Sequence, residues 1–146
     1  MKTYQFTTTH KRLLADTTTP VSTYLRLRDV YPNTILLESS DYHSKENSRS
    51  YVCCDPIAGI IATDKHLIKY FPDGSRTEEP IAEVDIREEI SKFRASFEVN
   101  NSAGTKFISS GLFGYFTYET IQHFEDIALK APVASAREIP VMQYHI

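Results

Sequence analysis

The chain has 146 residues, of which 41% are hydrophobic and 24% are charged, and its formal net charge is −3. This length suits one compact domain with its own core, and the composition excludes a disordered, fibrous or membrane-spanning chain. A dedicated nucleic-acid-binding protein carries a basic excess, so we expect no nucleic acid and no membrane among the partners. The N-terminus lacks the apolar segment of a secretory signal, which favours a cytoplasmic location.

The first predicted elements are a strand at residues 3–6, a helix at residues 20–31 and a strand at residues 34–37. Thr19 followed by proline is typical of a helix start, because threonine caps the helix and proline suits its first position. Residues 34–37 are rich in apolar side chains, as in a buried strand. Residues 38–50 are the most polar segment of the chain and predict a surface loop.

A meander and a second helix are predicted next. Residues 51–71 predict an antiparallel meander. Its strands are expected at 51–54, 57–63 and 66–71. Residues 85–97 show the clearest helical pattern, with Asp85 as the N-cap and a glutamate three residues later, as in a capping box. Apolar residues recur on one face of this helix, at Ile86, Ile90, Phe93 and Phe97.

The last third of the chain combines loops with aromatic residues. Residues 100–104 predict a loop, and the aromatic side chains of residues 107–119 are more typical of a core than of a ligand site. A short helix is expected at 118–124, a linker at 132–137 and a strand from 139 onward. Together these elements predict an α+β fold, an antiparallel β-sheet with both long helices packed on it.

The sequence ends inside an apolar, strand-like run from Ile139 to Ile146. A natural domain more often ends in a polar tail, so residues 1–146 are expected to be one part of a longer protein. No internal repeat or low-complexity tract divides the chain further.

Motifs for catalysis and metal binding are sparse. Cys53 and Cys54 are adjacent, and adjacent cysteines rarely pair with each other. They are interpreted as small apolar strand residues, with a vicinal redox pair or a thiolate metal site as the open alternative. Nucleophile elbows, phosphate loops, dinucleotide fingerprints and metal-ligand spacings are missing from the sequence. We therefore expect no catalytic residue and no metal ligand in this chain.

One group of side chains has the chemistry to bind a small molecule with two charges. A predicted strand delivers Glu38 and Ser39, and the cations Lys45 and Arg49 follow closely. A carboxylate binds an ammonium group, a hydroxyl makes a polar contact, and a guanidinium binds a carboxylate. The residues alone leave two interpretations open, an ordinary polar loop and a site for a zwitterion.

Four motifs occur in order along nearly the whole chain. They are Pro20-Val-Ser-Thr-Tyr-Leu25, Leu36-Leu-Glu-Ser-Ser-Asp-Tyr-His-Ser-Lys45, Gly111-Leu-Phe-Gly-Tyr-Phe-Thr-Tyr-Glu119 and Ile139-Pro140. Together they resemble the N-terminal region of anthranilate synthase component I, a member of the chorismate-utilising enzymes. The resemblance implies that residues 1–146 are the N-terminal part of that protein and that their fold belongs to its layered α/β sandwich.

The resemblance also implies an activity for the whole protein. Component I is a lyase that converts chorismate to anthranilate in tryptophan biosynthesis, with Mg²⁺ as cofactor and ammonia from a glutamine amidotransferase subunit, component II. Chorismate and Mg²⁺ are bound by the C-terminal portion of the family protein, so this chain alone is expected to be inactive and to hold no cofactor. Its contribution would be a regulatory and scaffold region with half of an allosteric site for the feedback inhibitor L-tryptophan.

The resemblance places Glu38, Ser39 and Arg49 in that L-tryptophan site. The basic residue of the family is commonly lysine, so Arg49 keeps the charge and changes the geometry of the contact. Aminodeoxychorismate synthase component I, of the folate pathway, shares the same layout and is the first alternative. A free-standing small-molecule binding module is the second.

Overall fold

The computed structural model describes residues 2–39, 48–101, 110–127 and 142–146. The chain divides into two compact units, of which unit 1 comprises Met1–Thr9 and Ile57–Ile146 and unit 2 comprises His10–Pro56. Unit 2 is therefore inserted in the sequence between two segments of unit 1.

The described residues form a mixture of strands and helices. The strands are β1 (Tyr4–Thr8), β2 (Ile35–Ser39), β3 (Arg49–Cys53), β4 (Gly59–Ala62), β5 (His66–Tyr70), β6 (Arg76–Pro80), β7 (Phe97–Asn101), β8 (Phe113–Phe116) and β9 (Met142–His145). The helices are α1 (Pro20–Leu27), α2 (Ile86–Ala95) and two 3-10 helices, Ile81–Glu83 and Tyr118–His123. The fold is α+β, as the sequence predicts. The prediction of one antiparallel sheet that carries both long helices is wrong, because the described strands form three sheets and the pair of β1 and β7 is parallel.

Unit 1 contains a five-stranded sheet in the order β6-β5-β4-β9-β8. All of its neighbouring strands run antiparallel. Strands β4, β5 and β6 form a meander, in which Ile60 lies opposite Lys69 and Lys69 lies opposite Thr77. The strand expected from residue 139 is found as β9, and it is an inner strand of the sheet.

Helix α2 begins where Asp85 caps it. The Asp85 carboxylate accepts hydrogen bonds from the backbone N–H groups of Arg87, at 2.8 Å, and Glu88, at 3.3 Å. These groups have no acceptor within the helix, so the cap satisfies them. The helix buries Ile86 and Phe93, and the apolar face that the spacing predicts therefore faces the core.

Strands β1 and β7 form a separate parallel pair, with Tyr4 opposite Phe97. The Tyr4 ring stacks on the rings of Phe71 and Phe97, at centroid distances of 5.6 Å in both cases. The Phe93 ring of α2 meets Phe97 edge-on at 5.0 Å. Aromatic pairs of this kind contribute about 0.5–1.5 kcal/mol beyond the area that they bury. The rings therefore connect the N-terminal strand with α2 and with the end of β5.

The core of unit 1 combines residues of the sheet with residues of α2. Its fully buried members are Ala58, Ile60, Ala62, Leu67, Ile86, Phe93 and Met142. At the margin of this core, Lys69 Nζ of β5 lies 2.6 Å from Glu89 Oε2 of α2. The sheet and the helix are thus joined by apolar packing and by an ion pair.

Unit 2 consists of α1 and the antiparallel pair of β2 and β3. Helix α1 starts after Thr19, as predicted, because Thr19 Oγ1 accepts from the Ser22 N–H at 3.0 Å and Ser22 Oγ accepts from the Thr19 N–H at 3.1 Å. The helix contacts both strands. None of the described residues of unit 2 is fully buried.

Both predicted helices are shorter in the structure. The helix predicted at 20–31 stops early, and residues 28–33 form turns. Asn33 adopts a left-handed φ of 60°, a conformation that asparagine tolerates better than most residues, and the chain changes direction there before β2. The helix predicted at 85–97 ends before Phe97, which begins β7.

Two predictions about strands are wrong. The loop predicted at 38–50 is a strand at both of its ends, because β2 runs through Ser39 and β3 begins at Arg49. The meander predicted at 51–71 is wrong in its first strand, because β3 pairs with β2 and not with β4. The meander instead continues into β6, whose sequence is mostly charged and polar and lacks the alternation that predicts a strand.

No helix in residues 2–39, 48–101, 110–127 or 142–146 is long and apolar enough to cross a membrane. Lys45 and the linker predicted at 132–137 lie outside the described residues.

Candidate functional site

The β2–β3 pair brings together the residues that the sequence singles out. Ser39 lies opposite Arg49, and Glu38 lies opposite Ser50. The apolar residues 35–37 of β2 are half-buried and pair in register with β3, which carries the strand on to Ser39. The three candidate residues therefore lie at one end of this pair, within one register position of each other.

Ser39 and Arg49 share one face of the pair. Residues directly opposite each other in an antiparallel pair point to the same face, and successive residues of a strand point to opposite faces. Glu38 and Ser50 therefore project on the other face, where Ser50 Oγ donates a hydrogen bond to Glu38 Oε1 at 3.1 Å. The structure brings Ser39 and Arg49 together and places Glu38 across the strand from them.

A further hydrogen bond stabilises the end of the β2–β3 pair at which Ser39 and Arg49 lie. Ser48 Oγ donates to the backbone carbonyl of Ser39 at 2.8 Å. Because Ser48 directly precedes β3, this bond continues the contact between the strands beyond the last paired residues. It holds Ser39 opposite Arg49.

Solvent reaches all three candidate residues. Glu38, Ser39 and Arg49 are exposed, so a ligand can contact them without displacing other side chains. Within the part of the chain that the structure describes, Arg49 makes no ion pair.

The Ser39–Arg49 face is suited to a carboxylate. A guanidinium binds a carboxylate through two parallel hydrogen bonds, and a hydroxyl adds another donor. Glu38 on the opposite face is suited to an ammonium group. Among the described residues, β2 has β3 as its one neighbour in the sheet, so the other edge of β2 is open to a ligand.

The two adjacent cysteines lie in different surroundings. Both thiols are free, with Cys53 half-buried at the end of β3 and Cys54 exposed. Burial, and then the neighbouring Cys54, raises the pKa of the Cys53 thiol. A raised pKa lowers the fraction of thiolate, which is the reactive form. The described residues also contain no group of three metal-ligating side chains.

A concave region of about 590 Å³ lies in unit 1, where β8 leads into the second 3-10 helix. It is lined by Phe116, Thr117, Tyr118, Thr120, Ile121, Phe124 and Glu125. The prediction that this aromatic segment is core is wrong for Tyr115, Phe116 and Tyr118, which are 38%, 55% and 77% exposed. The buried Thr117 Oγ1 has no hydrogen-bond partner among the described residues. The aromatic motif at 111–119 indicated this segment, but its mostly apolar lining specifies no ligand chemistry.

Comparison with known proteins finds relatives of this chain. No protein-family model matches the sequence. The chain is 32% identical to anthranilate synthase component 1 of Pseudomonas aeruginosa over 117 residues, which cover 77% of this chain and 22% of that protein. Over most of its own length, the chain is thus similar to an anthranilate synthase component 1. The corresponding protein of Pseudomonas putida is 30% identical over 112 residues, with coverages of 77% and 22%, and that of Aquifex aeolicus is 28% identical over 127 residues, with coverages of 84% and 24%.

These matches confirm the anthranilate synthase resemblance that the four sequence motifs indicate. The chain spans about 22% of the length of the Pseudomonas relatives. The relatives' names therefore support the resemblance, and the role of the β2–β3 pair is argued from its own geometry.

Proposed function

We propose that this chain is the N-terminal regulatory and scaffold part of an anthranilate synthase component I, and that its β2–β3 pair holds the feedback inhibitor L-tryptophan. The enzyme is a carbon–oxygen lyase that converts chorismate to anthranilate in tryptophan biosynthesis. Three relatives that carry the component 1 name support the enzyme. The observation that supports the site is the pairing of Ser39 with Arg49 on one exposed face.

In this proposal each candidate residue meets a different group of the amino acid. Arg49 binds the carboxylate of L-tryptophan, the Ser39 hydroxyl adds a polar contact on the same face, and Glu38 meets the ammonium group at the open edge of β2. A hydrogen bond to a charged group contributes about 1.5–3 kcal/mol. The loss of one such bond is therefore expected to weaken inhibition by about 10- to 100-fold.

The catalytic parts of the enzyme are proposed to lie outside this chain. The remaining portion binds chorismate and Mg²⁺ and receives ammonia from a glutamine amidotransferase subunit, component II. The five-stranded sheet of unit 1 then forms part of the layered sandwich of chorismate-utilising enzymes. Feedback inhibition requires that L-tryptophan bind one arrangement of the enzyme more tightly than the other.

Substitution of Ser39 in the intact protein tests the proposal. Ser39→Ala and Ser39→Leu are expected to raise the L-tryptophan concentration for half-inhibition at least about tenfold, with kcat/KM for chorismate within about twofold of the parent. The control is Ser91→Ala, an exposed position on α2, which should change neither quantity. Unchanged inhibition in Ser39→Leu would remove Ser39 from the site. Aminodeoxychorismate in place of anthranilate as product would overturn the enzyme assignment.

Two substitutions of Arg49 separate its charge from its shape. Arg49→Lys keeps the charge and introduces the residue common in the family, so inhibition by L-tryptophan is expected to persist. Arg49→Gln removes the charge, so inhibition should weaken by about 10- to 100-fold. Equal inhibition of both variants would show that Arg49 does not bind the carboxylate.

A further inference from the structure

The two units differ sharply in how much they bury. Unit 1 contains residues that are essentially inaccessible to solvent, such as Ile60 and Leu67, each 0% exposed. In unit 2 none of the described residues reaches that level. Five of its large apolar side chains are exposed, at 88% for Leu14, 71% for Leu13, 67% for Val30, 47% for Val21 and 45% for Leu25, and others, such as those of residues 35–37, are half-buried. Unit 2 therefore gains little of the apolar burial that stabilises unit 1.

The elements of unit 2 are also short. Helix α1 has 8 residues, and isolated helices below about 12–15 residues are marginal in water. Strands β2 and β3 form a two-stranded sheet, which alone is marginal in water. Among the described residues, the further layer that this sheet has is the short helix α1. Low burial and short elements are the features of segments that open locally at a small cost in free energy.

The connectivity of the chain allows unit 2 to open, that is, to lose its own strand pairing, while unit 1 stays folded. The chain passes between the units at two points, after Thr9 and after Pro56. Strand β1 before the insertion pairs with β7, and strand β4 after it pairs with β5 and β9, all within unit 1. Because the pairing on both sides of the insertion belongs to unit 1, loss of the β2–β3 pair leaves those strands in place.

We infer that unit 2 opens as a local unit and that a ligand held by Ser39 and Arg49 keeps it closed. These residues lie opposite each other only while β2 and β3 are paired, so the ligand binds the closed form and stabilises it. Ligand binding is then signalled by the ordering of unit 2, a form of coupling that requires no change in the shape of unit 1. The identity of the ligand as L-tryptophan rests on the proposed function, whereas the local opening does not.

Hydrogen–deuterium exchange of backbone amides in the intact protein tests this inference. Without ligand, the amides of α1, β2 and β3 are expected to exchange at least about 100-fold faster than those of β4 and β5. L-Tryptophan at about 100 times its dissociation constant should slow exchange in unit 2 by about 100-fold, because the closed form is stabilised by the factor 1 + [L]/Kd. Exchange in β4 and β5 should change less than about twofold.

A variant that weakens unit 2 alone provides an independent readout. Thr19→Ala removes the capping box of α1, and the loss of such a cap should speed exchange throughout unit 2 about fivefold. The same variant should leave β4 and β5 unchanged. Ser91→Ala on α2 is the matched control and should leave unit 2 unchanged.

The outcomes separate this inference from the proposed function. Equal protection of the two units without ligand overturns the inference whether or not L-tryptophan binds. Binding by calorimetry without slower exchange in unit 2 overturns the inference and leaves the proposed function intact. Absence of binding, with fast exchange confined to unit 2, overturns the proposed function together with the role of the ligand in closing unit 2.

Discussion

The ion pairs around Lys69 provide a quantitative test of how β5 and α2 are held together. Lys69 Nζ lies 2.6 Å from Glu89 Oε2 and 2.8 Å from Glu79 Oε1. The Lys69 and Glu89 side chains are 12% and 11% exposed. The perturbation is Lys69→Met, which keeps most of the side-chain volume and removes the charge.

The loss of unfolding free energy expected for Lys69→Met lies between the value for a buried ion pair and the value for a surface ion pair. Breaking a fully buried pair by removing one partner costs about 3–5 kcal/mol, and an exposed pair contributes about 0–1 kcal/mol. Glu89 is nearly buried but keeps Lys92, whose Nζ lies 2.9 Å from Glu89 Oε1. Lys69→Met should therefore lower the free energy of unfolding by about 2 kcal/mol. The control Lys92→Met, at a side chain that is 49% exposed, should cost less than about 1 kcal/mol.

The pH dependence of this cost follows from the pKa of each partner. The hydrogen bond from Lys69 holds the pKa of Glu89 below its ordinary value of 4.5. A lowered carboxyl pKa means that the stabilisation is complete above about pH 4.5 and is lost as the pH falls through the folded-state value. Burial alone would lower the pKa of Lys69, but its hydrogen bonds to Glu79 and Glu89 outweigh burial and raise it above 10.5. The lysine contribution is therefore complete below about pH 10.5 and is lost as the pH rises through the folded-state value.

Urea unfolding followed by far-ultraviolet circular dichroism measures these differences. At about pH 7 the parent should exceed Lys69→Met by about 2 kcal/mol, and at about pH 3 this difference should be smaller. The double variant Lys69→Met/Glu89→Met should cost less than Lys69→Met alone, because no unpaired carboxylate is left behind. The reasoning is refuted if Lys69→Met costs no more than Lys92→Met, or if its cost is the same at both pH values.

Three further expectations concern single contacts and the isolated chain. A Cβ at Gly59 would lie 2.6 Å from Tyr70 Cζ, so Gly59→Ala should cost about 1–3 kcal/mol in urea unfolding, and much less in a Tyr70→Leu background. The hydrogen bonds from Lys2, at 2.6 Å, and from Ser75 hold the pKa of Asp73 well below its usual range. The ionised Asp73 carboxylate therefore stabilises the folded state fully above about pH 3.8, its ordinary pKa, and this stabilisation is lost as the pH falls through the folded-state pKa. Lys2→Ala should raise the pKa of Asp73 in an NMR titration. The isolated chain should form no anthranilate from chorismate and ammonia and should show no micromolar binding of L-tryptophan by calorimetry; detection of either would contradict the proposed division of function.

Helix α2 illustrates what can be predicted from the sequence. Its start depends on one capping side chain, Asp85, and its inner face on the spacing of residues such as Ile86 and Phe93. Both signals lie within a few residues of where they act, so they are visible before any tertiary contact is known. The same holds for the start of α1 after Thr19.

Strand pairing could not be predicted in the same way. Strand β6 has the sequence Arg-Thr-Glu-Glu-Pro and lies at the edge of the sheet, where charged residues and proline are common because they discourage pairing with another chain. The parallel partner of β1 is β7, which begins at Phe97, far along the chain. Such partners are selected by tertiary packing, which local alternation of residue types does not report.

For the candidate site, too, the sequence predicts which residues take part but not how they are arranged. The motif selects Glu38, Ser39 and Arg49, but their polarity predicts a loop, because exposed strand ends and loops share a polar composition. Once β2 is known to extend through Ser39, the two-residue period of a strand separates Glu38 from Arg49. A ligand lying on one face of the pair would meet Ser39 and Arg49 but not Glu38, whereas a ligand at the open edge of β2 would meet all three. Comparable losses of L-tryptophan inhibition in Glu38→Gln and Arg49→Gln therefore indicate binding at the edge, and a loss confined to Arg49→Gln indicates binding on the face.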